Sequence, residues 1–189
     1  MAEIDYRSDK TRAHEKAEGS DGRLNTSSRS DSRAYYNSRD ESRTFSTVFD
    51  FQDAAAGEFA AYWQNTSTDR ILVIDSVGIN ASQNARVKLW FVTGTAAGGN
   101  TIVPTNLNKS GVANEAEATC MEGGSAATGI TGLTEDGIID FAYVSADGHE
   151  EFRLGDRVRL GQGDAIAIEY DEGTGGDFSG VIFGFYEVK

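Results

Sequence analysis

Hydrophobic and polar residues alternate with a period of two along most of the chain beyond its first 43 residues. In the clearest stretch, Val87, Leu89 and Phe91 fall on one face. Lys88 and Trp90, which lie between them, fall on the other face. This period is typical of a β-strand that packs one face on a core, so we predict a strand here.

The same pattern, or a short apolar run between turn residues, recurs along the chain. It predicts further strands at 45–51, 58–63, 70–79, 139–143, 152–154, 158–160, 166–170 and 178–188. Residues of turn composition separate them, at 53–57, 65–69, 80–84, 155–156 and 171–177. The last strand is apolar on both faces, as expected for a central strand. No convincing helix pattern occurs, and the chain is predicted to be all-β, with a jelly-roll-like β-sandwich.

A long excursion, residues 94–136, interrupts the alternation with many small residues and only one strand-like piece, near 115–121. Long connections with little periodicity are uncommon in compact domains and are usually functional. Because Gly, Ala and Thr allow close backbone contact, we expect the protein to form a homo-oligomer, a trimer, through this region. The apolar residues expected at the oligomer interface are Ile102, Val103, Leu107 and Val112.

Residues 1–43 form a polar N-terminal arm with nine acidic and nine basic residues. Such a segment buries too little apolar surface to fold alone. It is either a passive tail or, in the interpretation we favour, an extended docking arm that orders on a partner. The β-sandwich domain follows it, at 44–189. The expected partner-binding residues are Tyr6, Arg29, Arg33, Tyr35, Tyr36, Arg39 and Arg43.

The net charge of −13 lies wholly in the domain at 44–189, because the arm is neutral. An acidic domain is repelled by nucleic-acid phosphates and by anionic membranes, so we expect neither as a partner. No apolar run approaches the ~20 residues that a membrane span needs. The single cysteine excludes an intrachain disulfide, and with no apolar signal core at the N-terminus it favours synthesis and assembly in a cytosol.

Side chains with catalytic potential are few and isolated in the sequence. His14 lies in the arm and His149 in a polar turn, and neither has a plausible nucleophile nearby. Cys120 has no basic neighbour to lower its pKa, so packing is the expected role. We therefore expect no enzyme activity, no catalytic residues and no cofactor.

Two acidic loops leave calcium binding open as an alternative to solvated surface, although neither matches an EF-hand and no metal site is predicted. They contain Asp171, Glu172 and Asp177, and Asp147, Glu150 and Glu151. Three arginines in the acidic domain are expected to form ordinary salt bridges: Arg153, Arg157 and Arg159.

The stretches 89–108 and 128–137 resemble patterns found in structural proteins of tailed-bacteriophage virions. A polar arm on a glycine-rich, cysteine-poor β-sandwich is similar to such proteins too. The resemblance implies a non-enzymatic virion component, often trimeric, with capsid decoration or cement as the first choice. The chain would then lie on the outer surface of the virion, anchored by its arm to a capsid or other virion structural protein. A tail or head-fibre component is the second choice.

A carbohydrate-binding receptor-recognition module is the alternative from another functional class. It requires exposed aromatic side chains beside acids and amides. Trp63, Trp90 and Tyr62 are the candidates for such a platform.

Overall fold

The structure, a computed structural model, describes residues 43–108, 115–124, 128–173 and 175–189, and the backbone of 5–7 and 14–16. The chain divides into two compact units, Met1–Asp31 and Ser32–Lys189. In the first unit, β1 (Asp5–Arg7) and β2 (His14–Lys16) form an antiparallel pair.

The described part of the second unit consists of strands and their connections. The strands are β3 (Thr44–Ala54), β4 (Glu58–Asn65), β5 (Arg70–Ala81), β6 (Ala85–Ala97), β7 (Asn100–Ile102), β8 (Thr105–Asn106), β9 (Ala118–Glu122), β10 (Thr131–Val144), β11 (Gly148–Leu160), β12 (Ala165–Gly173) and β13 (Gly176–Val188).

These strands form two antiparallel sheets that pack as a sandwich, which confirms the predicted fold class. One sheet has the order β11-β5-β13-β3-β8 and the other has the order β10-β6-β12-β4-β9-β7. Eight of the strands, β3 to β6 and β10 to β13, follow the jelly-roll arrangement. Each of these strands is followed by one in the opposite sheet, except at the link from β6 to β10.

The core lies between the sheets and contains the residues that the alternation assigns to one face. Phe45, Phe49 and Phe51 are buried along β3. Val48 and Asp50, the residues directly before and after Phe49, are exposed. β13 lies between β5 and β3, as its two apolar faces predict. Burial of these aromatic side chains stabilises the sandwich.

A glycine on β13 makes room for the aromatic core. The Phe49 ring lies 5.6 Å from the Phe178 ring, centre to centre, and packs over Gly180. A Cβ atom at Gly180 would lie 2.6 Å from Phe49 Cζ, which is closer than atoms in contact can approach. A glycine in a strand interior commonly marks such a close approach.

The six-stranded sheet also carries a smaller apolar cluster on its outer face. Tyr62, Val92, Met121 and Ala167 are buried there, although each alternates with residues that face the main core. Ile130 completes the cluster. Residues between β6 and β10 therefore cover part of this outer face, and β4 is buried on both faces.

The predicted turn at 155–156 between two strands is wrong. β11 is one strand that pairs with β5 on both sides of this point, with a register shift between Arg153 and Val158. Gly155 has a positive φ of 61°, and the Arg157 side chain donates hydrogen bonds to the backbone oxygens of Arg153 and Leu154. The turn composition therefore marks a bulge inside a strand.

The excursion at 94–136 is shorter than the sequence predicts. β6 continues to Ala97, β10 begins at Thr131, and these two residues pair. Most of the added residues are small or polar and many are exposed, so no apolar alternation marks the pairing. The remaining segment, residues 98–130, is called the insertion below. It contains β7, β8 and β9, and β9 is the predicted strand-like piece.

The faces of β10 change along its length. Ile139 and Val144 contact the core, whereas Phe141 and Tyr143 are exposed. The register of β10 against β6 shifts after Ile138, so the residues that follow lie on the faces opposite to those that the alternation predicts. The simple alternation of Ile139, Phe141 and Tyr143 in the sequence places all three on one face, and this is wrong.

Substitutions at two neighbouring residues of β3 test which face of this strand is buried in the core. Phe49→Ala removes a fully buried ring and should lower the free energy of unfolding by about 3–5 kcal/mol. Val48→Ala, at the adjacent residue that is 67% exposed, should change it by less than about 0.5 kcal/mol. Urea unfolding followed by tryptophan fluorescence measures both values. Equal effects of the two substitutions would contradict the assignment of faces.

Candidate functional site

Two surfaces of the second unit present organised side chains, and they lie at opposite edges of the six-stranded sheet. At one edge the insertion adds β9 and β7 beyond β4, and it also adds β8 beyond β3 in the other sheet. At the other edge lies β10, with exposed apolar side chains next to a row of charges on β6 and β12.

The insertion edge contains three of the four residues predicted to form an oligomer interface. Ile102 is half-buried against the core, Val103 is 84% exposed and Leu107 is exposed. Val112 lies outside the described residues. A cavity of about 700 Å³ is lined by residues 101–106, 115–116 and 118–120. The insertion therefore places exposed apolar side chains beside a concave surface.

The predicted partner-binding residues of the arm lie almost entirely outside the described residues. Only the backbone of Tyr6 is described, in β1. Arg43 immediately precedes β3, and its carbonyl oxygen accepts a hydrogen bond from the Tyr186 amide at 3.0 Å. The backbone of Arg43 is thus hydrogen-bonded to β13, the middle strand of the five-stranded sheet.

A polar ladder crosses β6 and β12 on the outer face of the six-stranded sheet. Asp171 accepts a hydrogen bond from Lys88, and its other oxygen lies 2.8 Å from Arg86 Nε. Arg86 also lies 3.5 Å from Glu172, and Lys88 lies 3.8 Å from Glu169. Because Lys88, Glu169 and Asp171 are shielded from water, these pairs are less screened than ordinary surface pairs.

The ladder ends at Trp90. Its indole Nε1 donates a hydrogen bond of 2.7 Å to the buried carboxylate of Glu169, and Lys88 Nζ lies 5.4 Å from the centre of its ring. The buried carboxylate therefore has both a cation and a neutral donor as partners. A buried charge requires such partners to offset the free-energy cost of its removal from water.

The aromatic platform predicted for carbohydrate binding is not formed by the predicted residues. Trp63 lies in the main core and Tyr62 in the outer-face cluster, and both are buried. Trp90 is only partly exposed. The exposed aromatic residues of the same face are instead Phe141 and Tyr143, which the sequence did not distinguish from core residues.

Phe141 and Tyr143 form an edge-to-face pair, with ring centres 6.2 Å apart. Tyr143 also lines a cavity of about 460 Å³ with Asn84, Arg86 and Glu172. This volume is within the range of small-molecule sites.

The other residues considered for a chemical role make ordinary structural contacts. His149 is exposed, and its Nδ1 lies 3.0 Å from Asn80 Oδ1. Arg153 and Arg159 form the predicted ion pairs, with Glu151 at 2.7 Å and Glu187 at 2.6 Å. The described partners of Arg157, the third arginine of that prediction, are the backbone oxygens of Arg153 and Leu154.

The described carboxylates of the two acidic loops do not form a metal-binding cluster. Among the described residues, no three His, Cys, Asp or Glu side chains form a group that would hold a metal ion. Asp171 and Glu172, from one of these loops, pair with Arg86 instead. Within the ranges that the structure describes, no helix has the length and apolar character needed to cross a bilayer.

Cys120 is a packed core residue, as predicted. It is buried, with the Thr47 hydroxyl 3.9 Å from its sulfur, and burial raises the pKa of its thiol from 9.0 to about 12. Ellman's reagent at pH 8 should therefore label the native protein slowly and the protein unfolded in guanidinium rapidly. Rapid labelling of the native protein would contradict this burial.

The same thiol contributes to the pH dependence of stability. Its folded pKa exceeds its unfolded pKa, so the folded state retains the proton more strongly as pH rises above about 9. Between pH 9 and 11 the free energy of unfolding should decrease more steeply for the wild-type protein than for Cys120→Ala. Parallel slopes in urea unfolding experiments would contradict this explanation.

The comparisons with known proteins identify no relative. No protein-family model, no curated protein and no solved structure matches the chain.

Proposed function

We propose that the chain is a non-enzymatic structural protein of a bacteriophage virion, of the capsid decoration or cement type. The observation that carries the proposal is the insertion, which widens both sheets of a jelly roll at one edge and exposes Val103 and Leu107 there. Apolar side chains exposed on added strands suit a contact between subunits. The resemblance of 89–108 and 128–137 to phage virion proteins supports the same role.

The distribution of charge supports an outward position for the sandwich. The arm is neutral, whereas residues 44–189 carry 21 acids and 8 bases, a difference of −13. An acidic outer domain favours solubility and disfavours contact with nucleic acid. In this proposal the chain is made in the host cytoplasm and its sandwich faces water on the virion surface. The arm lies against a capsid or other virion structural protein.

We expect the insertion edge to form a trimer. Val103→Asp with Leu107→Asp should convert the oligomer to a monomer, because charges would replace apolar contacts at its centre. Light scattering of the full chain at increasing concentration measures the mass. Ile138→Asp, an equally drastic change at an exposed residue of β10 on the opposite edge of the six-stranded sheet, is the matched control and should leave the oligomer intact. A monomeric wild-type protein at high concentration would contradict the expectation.

Removal of the arm should leave the sandwich folded and abolish its attachment to the shell. The truncation should delete residues 1–42 and keep Arg43, whose carbonyl bonds to Tyr186. Single surface ion pairs contribute only ~0–1 kcal/mol, so Tyr35 and Tyr36 are expected to dominate the attachment. Occupancy on shells that lack the protein should decrease from wild type to Tyr35→Ala/Tyr36→Ala to the truncation.

Two outcomes of that experiment would redirect the proposal. Equal occupancy by the truncated protein would show that the arm is a passive tail. Binding to tails or head fibres instead of the shell, seen by immunogold labelling, would favour the tail or head-fibre role.

A further inference from the structure

The β10 edge of the outer face exposes aromatic rings in a regular arrangement. Phe141 and Tyr143 are 55% and 65% exposed and project from one strand at positions two residues apart. Tyr143 lies opposite Arg86, and Phe141 lies opposite Lys88. Each ring therefore has a cation beside it on β6.

The acidic residues of β12 extend these two rows across a third strand. Arg86 pairs with Glu172 in the strand register, and Lys88 pairs with Glu169. Each row thus contains an aromatic ring, a cation and a carboxylate in order across β10, β6 and β12. The surface combines flat apolar groups with hydrogen-bond donors and acceptors over neighbouring strands.

A concave surface adjoins the first row. The cavity of about 460 Å³ is lined by Tyr143, Arg86 and Glu172, and also by Asn84 and Ser145. The lining therefore combines an aromatic residue with residues that carry guanidinium, carboxylate, amide and hydroxyl groups, and with the small or apolar residues Ala85, Val144 and Gly173. Small-molecule sites have this composition, with apolar contact area and a few convergent polar groups.

The local charge defines the class of ligand. The rows and Asp171 contain two cations, Arg86 and Lys88, and three carboxylates, Glu169, Asp171 and Glu172, so 2 − 3 gives a net charge of −1. The cations are already paired with these carboxylates. An anionic ligand would gain no net attraction here, whereas a neutral ligand with many hydroxyl groups would find both donors and acceptors.

We propose that this surface binds a neutral saccharide, with one pyranose ring stacked on Tyr143 and its hydroxyls bonded to Glu172 and Arg86. The C–H face of a sugar ring is apolar and weakly positive, so it matches the negative face of an aromatic ring. The carboxylate accepts hydrogen bonds from sugar hydroxyls and the guanidinium donates to them. Phe141 supplies contact area for a second sugar unit.

A second copy of the chain fits this surface less well than a saccharide. The fully buried core of a protein interface is depleted in charged residues, whereas the aromatic pair here lies directly beside the charged ladder. The insertion edge, with exposed Val103, lies at the opposite side of the same sheet. Saccharide binding and self-association therefore use different edges.

A glycan array tests the proposal with the full chain. Its probes are neutral oligosaccharides of glucose, galactose, mannose and N-acetylglucosamine, with sialylated and sulfated oligosaccharides as the anionic set. Neutral members should bind, and calorimetry with the best neutral probe should then give an affinity about tenfold or more weaker for Tyr143→Ala. Tyr143→Phe retains the ring and should bind nearly as well as the wild type.

Controls on the same protein separate binding from stability. Val48→Ala removes an exposed apolar side chain from the opposite sheet and should leave saccharide affinity unchanged. Tyr143→Ala should keep the wild-type urea midpoint, because the residue is exposed. Phe141→Ala should weaken binding of oligosaccharides more than that of monosaccharides.

Three results would overturn the proposal. The first is that no neutral probe binds at millimolar concentration, or that binding survives Tyr143→Ala. The second is preferential binding of the anionic set, which would contradict the assigned ligand class. The third is loss of the oligomer in Phe141→Ala/Tyr143→Ala by light scattering, which would make this edge an interface between copies.

Discussion

The packing of large aromatic rings over a glycine of the central strand is the constraint on which the sandwich depends. Gly180 and Gly184 both lie on β13. The ring of Phe49 occupies the space above Gly180, and the ring of Trp63 lies against Gly184. A side chain at Gly180 would meet the backbone oxygen of Gly78 and the Phe49 ring, both on strands that pair with β13 in the same sheet. Burial of the rings supplies the hydrophobic stabilisation, and the glycines leave room for the rings to lie against the central strand.

Because the main core of the jelly roll lies between its two sheets, the outer faces of the sheets are available for function. The link between β6 and β10 is the one place where consecutive jelly-roll strands stay in the same sheet, and it accommodates the insertion. The insertion covers part of one outer face and widens one edge. The remaining part of that face keeps the polar ladder and the exposed aromatic pair. One inserted segment therefore divides the face into a covered apolar region and an exposed mixed region.

The ladder shows how a buried charge is tolerated on that face. Glu169 is buried, yet Trp90 donates to it and Lys88 lies near it. Lys88 in turn bonds to Asp171, which Arg86 also contacts. Each charge thus has a partner of opposite sign, so the ladder fixes the orientation of side chains next to Phe141 and Tyr143. A pre-organised surface loses less conformational entropy when a ligand binds.

The amino-acid sequence by itself determined the all-β class, the main strands and most of the core. It could do so because strand geometry places alternate side chains on opposite faces, as for Val87 and Leu89. Only the tertiary structure decided where that period shifts, at Gly155 and after Ile138, and where an outer face is covered, at Tyr62. A bulge depends on pairing with a strand distant in the sequence, and covering depends on a segment that arrives from elsewhere in the fold. The exposure of Phe141 and Tyr143, and with it the candidate site, therefore could not be predicted from local alternation.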